Sequence, residues 1–287
     1  MKNQALNDIV SCMLTVNNDD IQRVQTQHRM KLVDFWNIEK GDRVLEIGCG
    51  QGDTTAVLAH RVGKTGYVLG IDSAPPDFGS PVTLGAATEH LKKSKLGEQL
   101  SFRLETDLLS LDVNFPQHAF DAIVISHASW YFQSQDILYL TLAKLGKWGR
   151  KLCIAEWDTR PTDIAQLPHL LSILVQAQYE SFKNETDANV RILITPRDWV
   201  NIVEKIGGMI ARETSIITKE LHDGLWETDA ALNMIRSDIA VHGEHSGQDT
   251  LPRKFRQFLL SKADLIETAR RKNGIMPLAS FCLVADM

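Results

Sequence analysis

The chain has 287 residues, of which 44% are hydrophobic and 23% charged, a composition typical of a globular protein with a full apolar core. Its 31 Lys and Arg residues against 36 Asp and Glu residues give a formal charge of −5. That balance disfavours a general nucleic-acid binder, because phosphate binding requires a basic surface. The 4 cysteines are dispersed and form no C-x-x-C pair, which disfavours a disulfide framework and a structural zinc site.

The sequence also predicts the surroundings of the protein. No stretch approaches the roughly 18 consecutive apolar residues of a membrane span. The first residues, MKNQALNDIVSCML, lack the long apolar region of a signal peptide. We therefore expect a cytoplasmic protein with reduced thiols and no membrane partner.

The predicted elements begin with a helical cap over residues 1–40, because apolar side chains recur there at spacings of three and four. Strands and helices then alternate over residues 41–158, which predicts a parallel α/β sheet with helices on both faces. The predicted strands in this part are RVLEIG, YVLGID, LSFRLETD, FDAIVISHA and KLCIAEWD.

After Trp157 the alternation stops. Residues 159–190 and 222–273 are predicted to be helical insertions, and we expect them to form a lid over a single domain that spans residues 1–287. MIARETSIIT and PLASFCLVAD are predicted as the sixth and seventh strands.

The sharpest motif is Glu46-Ile47-Gly48-Cys49-Gly50-Gln51-Gly52-Asp53, at the junction of the first strand with its helix. Glycines permit a sharp turn and a close approach by a ligand, and the helix that follows offers unpaired N–H groups. A dinucleotide site requires G-x-G-x-x-G. Asp53 occupies the third glycine position of that pattern, where its carboxylate would face a pyrophosphate.

With an acid two residues before G-x-G-x-G, the chain resembles the class I S-adenosylmethionine-dependent methyltransferases. The motifs cover roughly residues 30–158, and the last two predicted strands resemble the terminal antiparallel pair of that family. The resemblance implies a seven-stranded, mostly parallel Rossmann-like sheet whose last strand is antiparallel. It also implies S-adenosyl-L-methionine as the cofactor.

The resemblance further implies a set of cofactor contacts along one edge of the sheet. Asp72 would accept the ribose hydroxyls, and Asp107 would accept the adenine amino group with the Leu108 N–H facing the ring. The complete implied set is Glu46, Gly48, Cys49, Gly50, Gly52, Asp72, Ser73, Asp107, Leu108, Ser126 and His127.

His127 is the candidate catalytic residue. Methyl transfer is an in-line displacement that depends on alignment, and a base is needed only when the acceptor arrives protonated. Histidine exchanges a proton near neutral pH and can be that base; alternatively, His127 orients the cofactor or bonds to the backbone. Trp130, Tyr131 and Trp157 are predicted to line an acceptor pocket. Trp130 and Tyr131 belong to an aromatic run after the fourth strand, and Trp157 ends the fifth strand beside Glu156. Core packing is the alternative for all of these residues.

A metal site is not expected. His222, His242 and His245 lie in a polar inserted segment, but their spacing implies no fixed ligand geometry.

The function predicted from the sequence is methyl transfer to a small-molecule metabolite, with O-, C-, S- and N-methylation left open. One alternative is a protein of the same fold that binds S-adenosylmethionine without transferring the methyl group. The other, disfavoured by Asp53, is an NAD(P)-dependent oxidoreductase. We expect a small-molecule acceptor as the partner, no nucleic acid, and a monomer or homodimer.

Overall fold

The structure is a computed structural model that describes residues 2–15, 19–183, 188–239 and 252–287. In these residues one sheet has the strand order β3-β2-β1-β4-β5-β7-β6. Strand β7 is antiparallel to both of its neighbours, and all other pairs are parallel. The strands are β1 (Arg43–Ile47), β2 (Tyr67–Ile71), β3 (Leu100–Arg103), β4 (Phe120–Ser126), β5 (Gly149–Trp157), β6 (Met209–Ile216) and β7 (Ser280–Asp286).

The predicted fold class is therefore confirmed, with helices on both faces of the sheet and in the insertions. The described helices are α1 (Lys2–Val10), α2 (Asp19–Trp36), α3 (Asp53–Val62), α4 (Leu84–Lys93), α5 (Gln135–Trp148), α6 (Leu167–Glu180), α7 (Pro196–Lys205), α8 (Asp223–Met234) and α9 (Arg253–Asn273). Each of the described helices is too short or too polar to cross a bilayer.

Both faces of the sheet are buried, which explains the continuous apolar strands. Along β1, Leu45 and Ile47 join the apolar cluster that includes Trp148 of α5 and Trp199 of α7. Val44 points to the opposite face and joins the cluster formed with α2 and α3. Alternate side chains of a strand point to opposite faces, so one short run supplies both layers.

The third strand is shorter than predicted. It ends at Arg103 rather than continuing to Asp107, and Glu105 takes a positive φ of 50°. The N–H groups of Glu105 and Thr106 donate to the carbonyls of Ala74 and Asp72. Residues 105–106 thus bond to the loop after β2, because this loop turns across their path at the edge of the sheet.

Helices α6, α8 and α9 form a separate apolar cluster away from the sheet. Its buried members are Val175, Leu232, Ile235, Leu259 and Ile266. The two predicted insertions therefore pack on each other.

The site lies where the chain changes direction across the sheet. From β1 the chain proceeds outward through β2 and β3, and then returns to pair β4 with the other side of β1. Open α/β sheets bind ligands in the crevice at this switch point, outside the carboxyl ends of the strands.

Candidate active site

The glycine loop after β1 is held against two neighbouring strand ends. The N–H groups of Gly48 and Cys49 donate to the carbonyl of Ile71 at 2.8 and 3.2 Å. A Cβ on Gly48, whose φ is +70°, would lie 2.5 Å from the Cβ of Ala128, so the loops after β1 and β4 are in direct contact. At Gly50, with φ +52°, a Cβ would meet no other part of the protein within 4 Å. A ligand can therefore approach the main chain at Gly50.

Asp72 is directed towards this same point. Its Oδ2 accepts the N–H of Gly50 at 2.8 Å, and its Oδ1 accepts the N–H of Ala74 at 2.9 Å. Each carboxylate oxygen keeps a further lone pair that can accept a hydroxyl group. The open space at Gly50 beside a carboxylate suits the ribose diol of an adenosine, and Ser73 lies exposed next to it.

Glu46 and Cys49 support the loop from the buried side. The Thr55 hydroxyl donates to Oε2 of Glu46 at 2.5 Å, and burial raises the pKa of Glu46 to about 8. Burial likewise raises the pKa of the Cys49 thiol. Both side chains are consequently protonated at neutral pH, and Cys49 is a packing residue. Gly52 precedes α3, and a Cβ there would lie 2.5 Å from Leu91.

Asp107 and Leu108 lie after β3, at the far side of the crevice. Asp107 is exposed, and its Oδ1 accepts the N–H of Leu109 at 2.8 Å. The carbonyl of Leu108 accepts the ammonium of Lys144 at 2.8 Å. Whether Asp107 meets adenine stays a prediction.

His127 follows Ser126, the last residue of β4, and takes a positive φ of 50°. Its Nε2 lies 3.1 Å from the Ser280 hydroxyl, whereas its Nδ1 lies 3.5 Å from Oε1 of Glu156 and has no hydrogen-bond partner. The ring also packs on Trp157 at 4.4 Å between centroids. Because both nitrogens face protein groups, this geometry favours the orienting role over that of a free base.

The sequence left Glu156, like Trp157, open between pocket lining and core packing. Glu156 is 2% exposed at the carboxyl end of β5. Its Oε2 accepts the N–H and hydroxyl of Ser129 at 3.2 and 2.6 Å, and its Oε1 accepts the N–H of Trp157 at 3.0 Å. An acid that ends an otherwise apolar central strand was the available signal.

The three aromatic residues predicted to line the acceptor pocket lie in different surroundings. Trp130 is buried in the main cluster, where its indole N–H donates to the carbonyl of Ile194 at 3.4 Å. Trp157 lies between the rings of His127 and His169. Tyr131 is 44% exposed, yet desolvation and the carboxylate of Glu227 raise its pKa to about 12. Its phenol is therefore protonated at neutral pH.

Helices α2, α6 and α8 contact one another through polar side chains near Tyr131. Gln176 of α6 donates to Oε2 of Glu227 on α8 at 2.8 Å, and burial raises the pKa of Glu227. Gln25 of α2 donates to Oδ2 of Asp223, also on α8, at 2.7 Å. These contacts join the N-terminal cap to both insertions beside Tyr131.

Helix α2 also holds the start of α3. Asp53 accepts the amide of Gln22 at 3.0 Å and the guanidinium of Arg29 at 3.3 Å. The Asp53 carboxylate thus lies at a helix N-terminus, where negative charge is stabilised, and both Gln22 and Arg29 donate to it. Gln22, Gln25 and Arg29 recur at spacings of three and four, a polar stripe that the sequence analysis missed because it considered only the apolar face.

The histidines considered for a metal site are not assembled in the described part of the chain. His222 lies beside the ring of Trp226, and His242 and His245 lie outside the described residues. Within the described residues, no group of three or more His, Cys, Asp or Glu side chains could hold a metal ion.

A parallel sheet with an antiparallel seventh strand, together with an acid and three glycines at its switch point, defines a class I methyltransferase fold. Residues 38–208, more than half of the chain, match the family described as a methyltransferase domain. The chain therefore belongs to this family, within the class I S-adenosylmethionine-dependent methyltransferases, and S-adenosyl-L-methionine is its cofactor.

Individual relatives support this assignment. A cyclopropane-fatty-acyl-phospholipid synthase-like protein from Lactobacillus casei is 31% identical with a TM-score of 0.87, over 99% of this chain and 100% of that one. Methyltransferase phomM' of Diaporthe leptostromiformis is 34% identical over 155 residues, 47% of this chain and 40% of the relative. A chloroplastic 2-phytyl-1,4-beta-naphthoquinone methyltransferase of Arabidopsis thaliana is 33% identical over 104 residues, 35% of this chain and 37% of the relative. The chain thus spans less than half the length of these two curated relatives.

Proposed function

We propose that this protein transfers the methyl group of S-adenosyl-L-methionine to a small-molecule acceptor. The observation that carries the proposal is the carboxylate of Asp72 at the open backbone of Gly50, at the switch point of the sheet. When bound, the cofactor supplies an electrophilic methyl group on a sulfonium.

The residues of this chain have two tasks in the proposed reaction. The glycine loop, Asp72 and the exposed Asp107 hold the cofactor, while Tyr131 and Trp157 line the acceptor side above the carboxylate of Glu156. Alignment of the two partners supplies much of the rate enhancement in such a displacement. The contacts among α2, α6 and α8 enclose that side of the site and exclude water from it.

The electrostatics of the acceptor side favour a neutral or cationic molecule over an anionic one. The carboxyl groups of Asp223, Glu227 and Glu156 all lie close enough to Tyr131 to raise the pKa of its phenol. The enclosing helices and the net charge of −5 support a metabolite rather than a nucleic acid. A cytoplasmic location, a monomer or homodimer, and the division into cap, cofactor-binding half and helical insertions belong to the same proposal.

Two assays test this function in sequence. Excess S-adenosylhomocysteine should raise the melting temperature by mass action, and NADH and NADPH should not. A metabolite extract incubated with a methyl-labelled donor should then yield a labelled product together with S-adenosylhomocysteine. A shift with NADH alone would contradict the cofactor assignment, and binding without acceptor-dependent turnover would favour a non-methylating protein.

A further inference from the structure

A continuous hydrogen-bonded chain runs from the surface to His127. The ammonium of the exposed Lys31 lies 2.8 Å from the Thr218 hydroxyl, which lies 3.1 Å from Nδ1 of His28. Nε2 of His28 lies 3.0 Å from the Ser280 hydroxyl, which lies 3.1 Å from Nε2 of His127. Thr218, His28 and Ser280 are at most 5% exposed, so their polar groups depend on one another for partners.

The donor direction of this chain follows from its first member. A lysine ammonium only donates, so the Thr218 oxygen accepts from Lys31. The one proton of this buried hydroxyl then needs an acceptor, which Nδ1 of His28 supplies at 3.1 Å. Burial lowers the pKa of His28 to about 2. A neutral imidazole that accepts at Nδ1 must carry its proton on Nε2, so His28 donates to Ser280.

The Ser280 hydroxyl then has one proton and one remaining neighbour. Because Ser280 is fully buried, that proton needs an acceptor, so a hydroxyl that accepts from His28 donates to Nε2 of His127. A neutral His127 that accepts at Nε2 must carry its proton on Nδ1, the nitrogen that lies 3.5 Å from Oε1 of Glu156. The tautomer of His127 is thus determined by groups on α2 and after β6.

We propose that His28 is a positioning residue that, through Ser280, holds His127 as the Nδ1–H tautomer with its N–H directed at Glu156. Its functional meaning rests on the proposed methyl transfer: the protonated Nδ1 lies 3.5 Å from the Glu156 carboxylate, beside the donors of Ser129 and Trp157. With Nδ1 protonated and Nε2 bonded to Ser280, His127 has no free lone pair with which to take a proton from substrate.

The tautomer can be measured without an acceptor. The two ring nitrogens of each histidine have distinct ¹⁵N chemical shifts according to which one carries the proton. In the ¹⁵N-histidine-labelled protein saturated with S-adenosylhomocysteine, we expect His127 to be protonated on Nδ1 and His28 on Nε2. The His127→Gln and His28→Gln spectra assign the signals. A wild-type His127 that carries its proton on Nε2 would overturn the proposal, whatever the outcome of the turnover assay.

Variants of Lys31, the first donor, test the donor direction of this series of hydrogen bonds. Lys31→Met removes the obligate donor, so Thr218 can accept from His28 and the two tautomers of His127 become mixed. Lys31→Arg keeps a donor and should leave the ¹⁵N shifts of His127 unchanged. His28→Gln, which can donate or accept towards Ser280, should mix the tautomers as well. If the His127 shifts stay at their wild-type values in both Lys31→Met and His28→Gln, this series of hydrogen bonds does not determine the His127 tautomer. Because Lys31 is exposed, its variants should fold even if His28→Gln does not.

Discussion

Asp72 is the residue on which the cofactor site depends most directly. Its two oxygens accept N–H groups from Gly50 and Ala74 and are proposed to accept the ribose hydroxyls as well, so Asp72→Ala should weaken S-adenosylhomocysteine binding by about 1–3 kcal/mol. Titration calorimetry measures this loss. Asp77→Ala, which removes an exposed carboxylate from the same loop, is the matched control and should bind normally. Equal dissociation constants for the two variants would make Asp72 a turn residue only.

The contacts of His127 give a kinetic prediction for the same site. Because Ser280 engages Nε2 and Nδ1 faces Glu156, His127→Ala should lower kcat by about 10-fold, the scale of a lost orienting contact, at every pH. The measurement is the pH profile of kcat with the acceptor found by the labelled-methyl screen. His118→Ala is the control, since His118 has a similar φ of 53° away from the site.

A general base would behave differently in that experiment. The loss of kcat would then reach about 10²–10⁴-fold and would shrink at high pH, where the acceptor ionises unaided. Such a profile would refute the orienting role.

At the scale of elements, α2 is the piece that connects the cofactor loop to the insertions. Arg29 pairs with Asp53 in the first turn of α3, where both side chains are largely shielded from solvent. Arg29→Ala should lower the free energy of unfolding by about 1 kcal/mol and weaken S-adenosylhomocysteine binding, because the start of α3 follows the glycine loop directly. Urea unfolding and calorimetry measure the two effects. Arg23→Ala on the same helix is the control, and an equal loss of affinity in both variants would contradict the role of the pair.

At the scale of the whole molecule, buried titratable groups make stability depend on pH in two opposite ways. Burial lowers the pKa of His28 to about 2 and of His169 to about 3, so only the unfolded chain takes up their protons below pH 6.5. Their contribution to stability is present above pH 6.5 and falls on acidification by about 1.4 kcal/mol per pH unit for each group. Burial raises the pKa of Glu46 from 4.5 to about 8, so its contribution is complete below pH 4.5 and is lost as pH rises to 8.

Two variants separate these effects in urea unfolding between pH 5 and 8. His28→Gln should make the decline below pH 6.5 shallower by about 1.4 kcal/mol per pH unit, and Glu46→Gln should remove a slope of the same size and opposite sign up to pH 8. Wild-type slopes retained in both variants would mean that neither group changes its pKa on folding.

The sequence by itself determined the layered fold and the cofactor loop. Glu46, the glycines and Asp72 could be located because the signal is local: an apolar strand, a glycine turn and a helix start lie within ten or twenty residues of one another. The alternation of strands and helices likewise predicted the parallel sheet, since each strand is buried on both faces. The end of β3 was misplaced, because only the bonds of residues 105–106 to the loop after β2 terminate it.

The surroundings of His127 were decided by the tertiary structure alone. Ser280, 153 residues further along the chain, reaches it because β7 inserts between β5 and β6 and pairs Ser280 with Trp157. His28 lies within α2, and only the packing of that helix against β7 brings its ring to Ser280. Local patterns record which face of an element is buried. They do not record which polar group of a distant element that face contacts, because the contact depends on strand order and register.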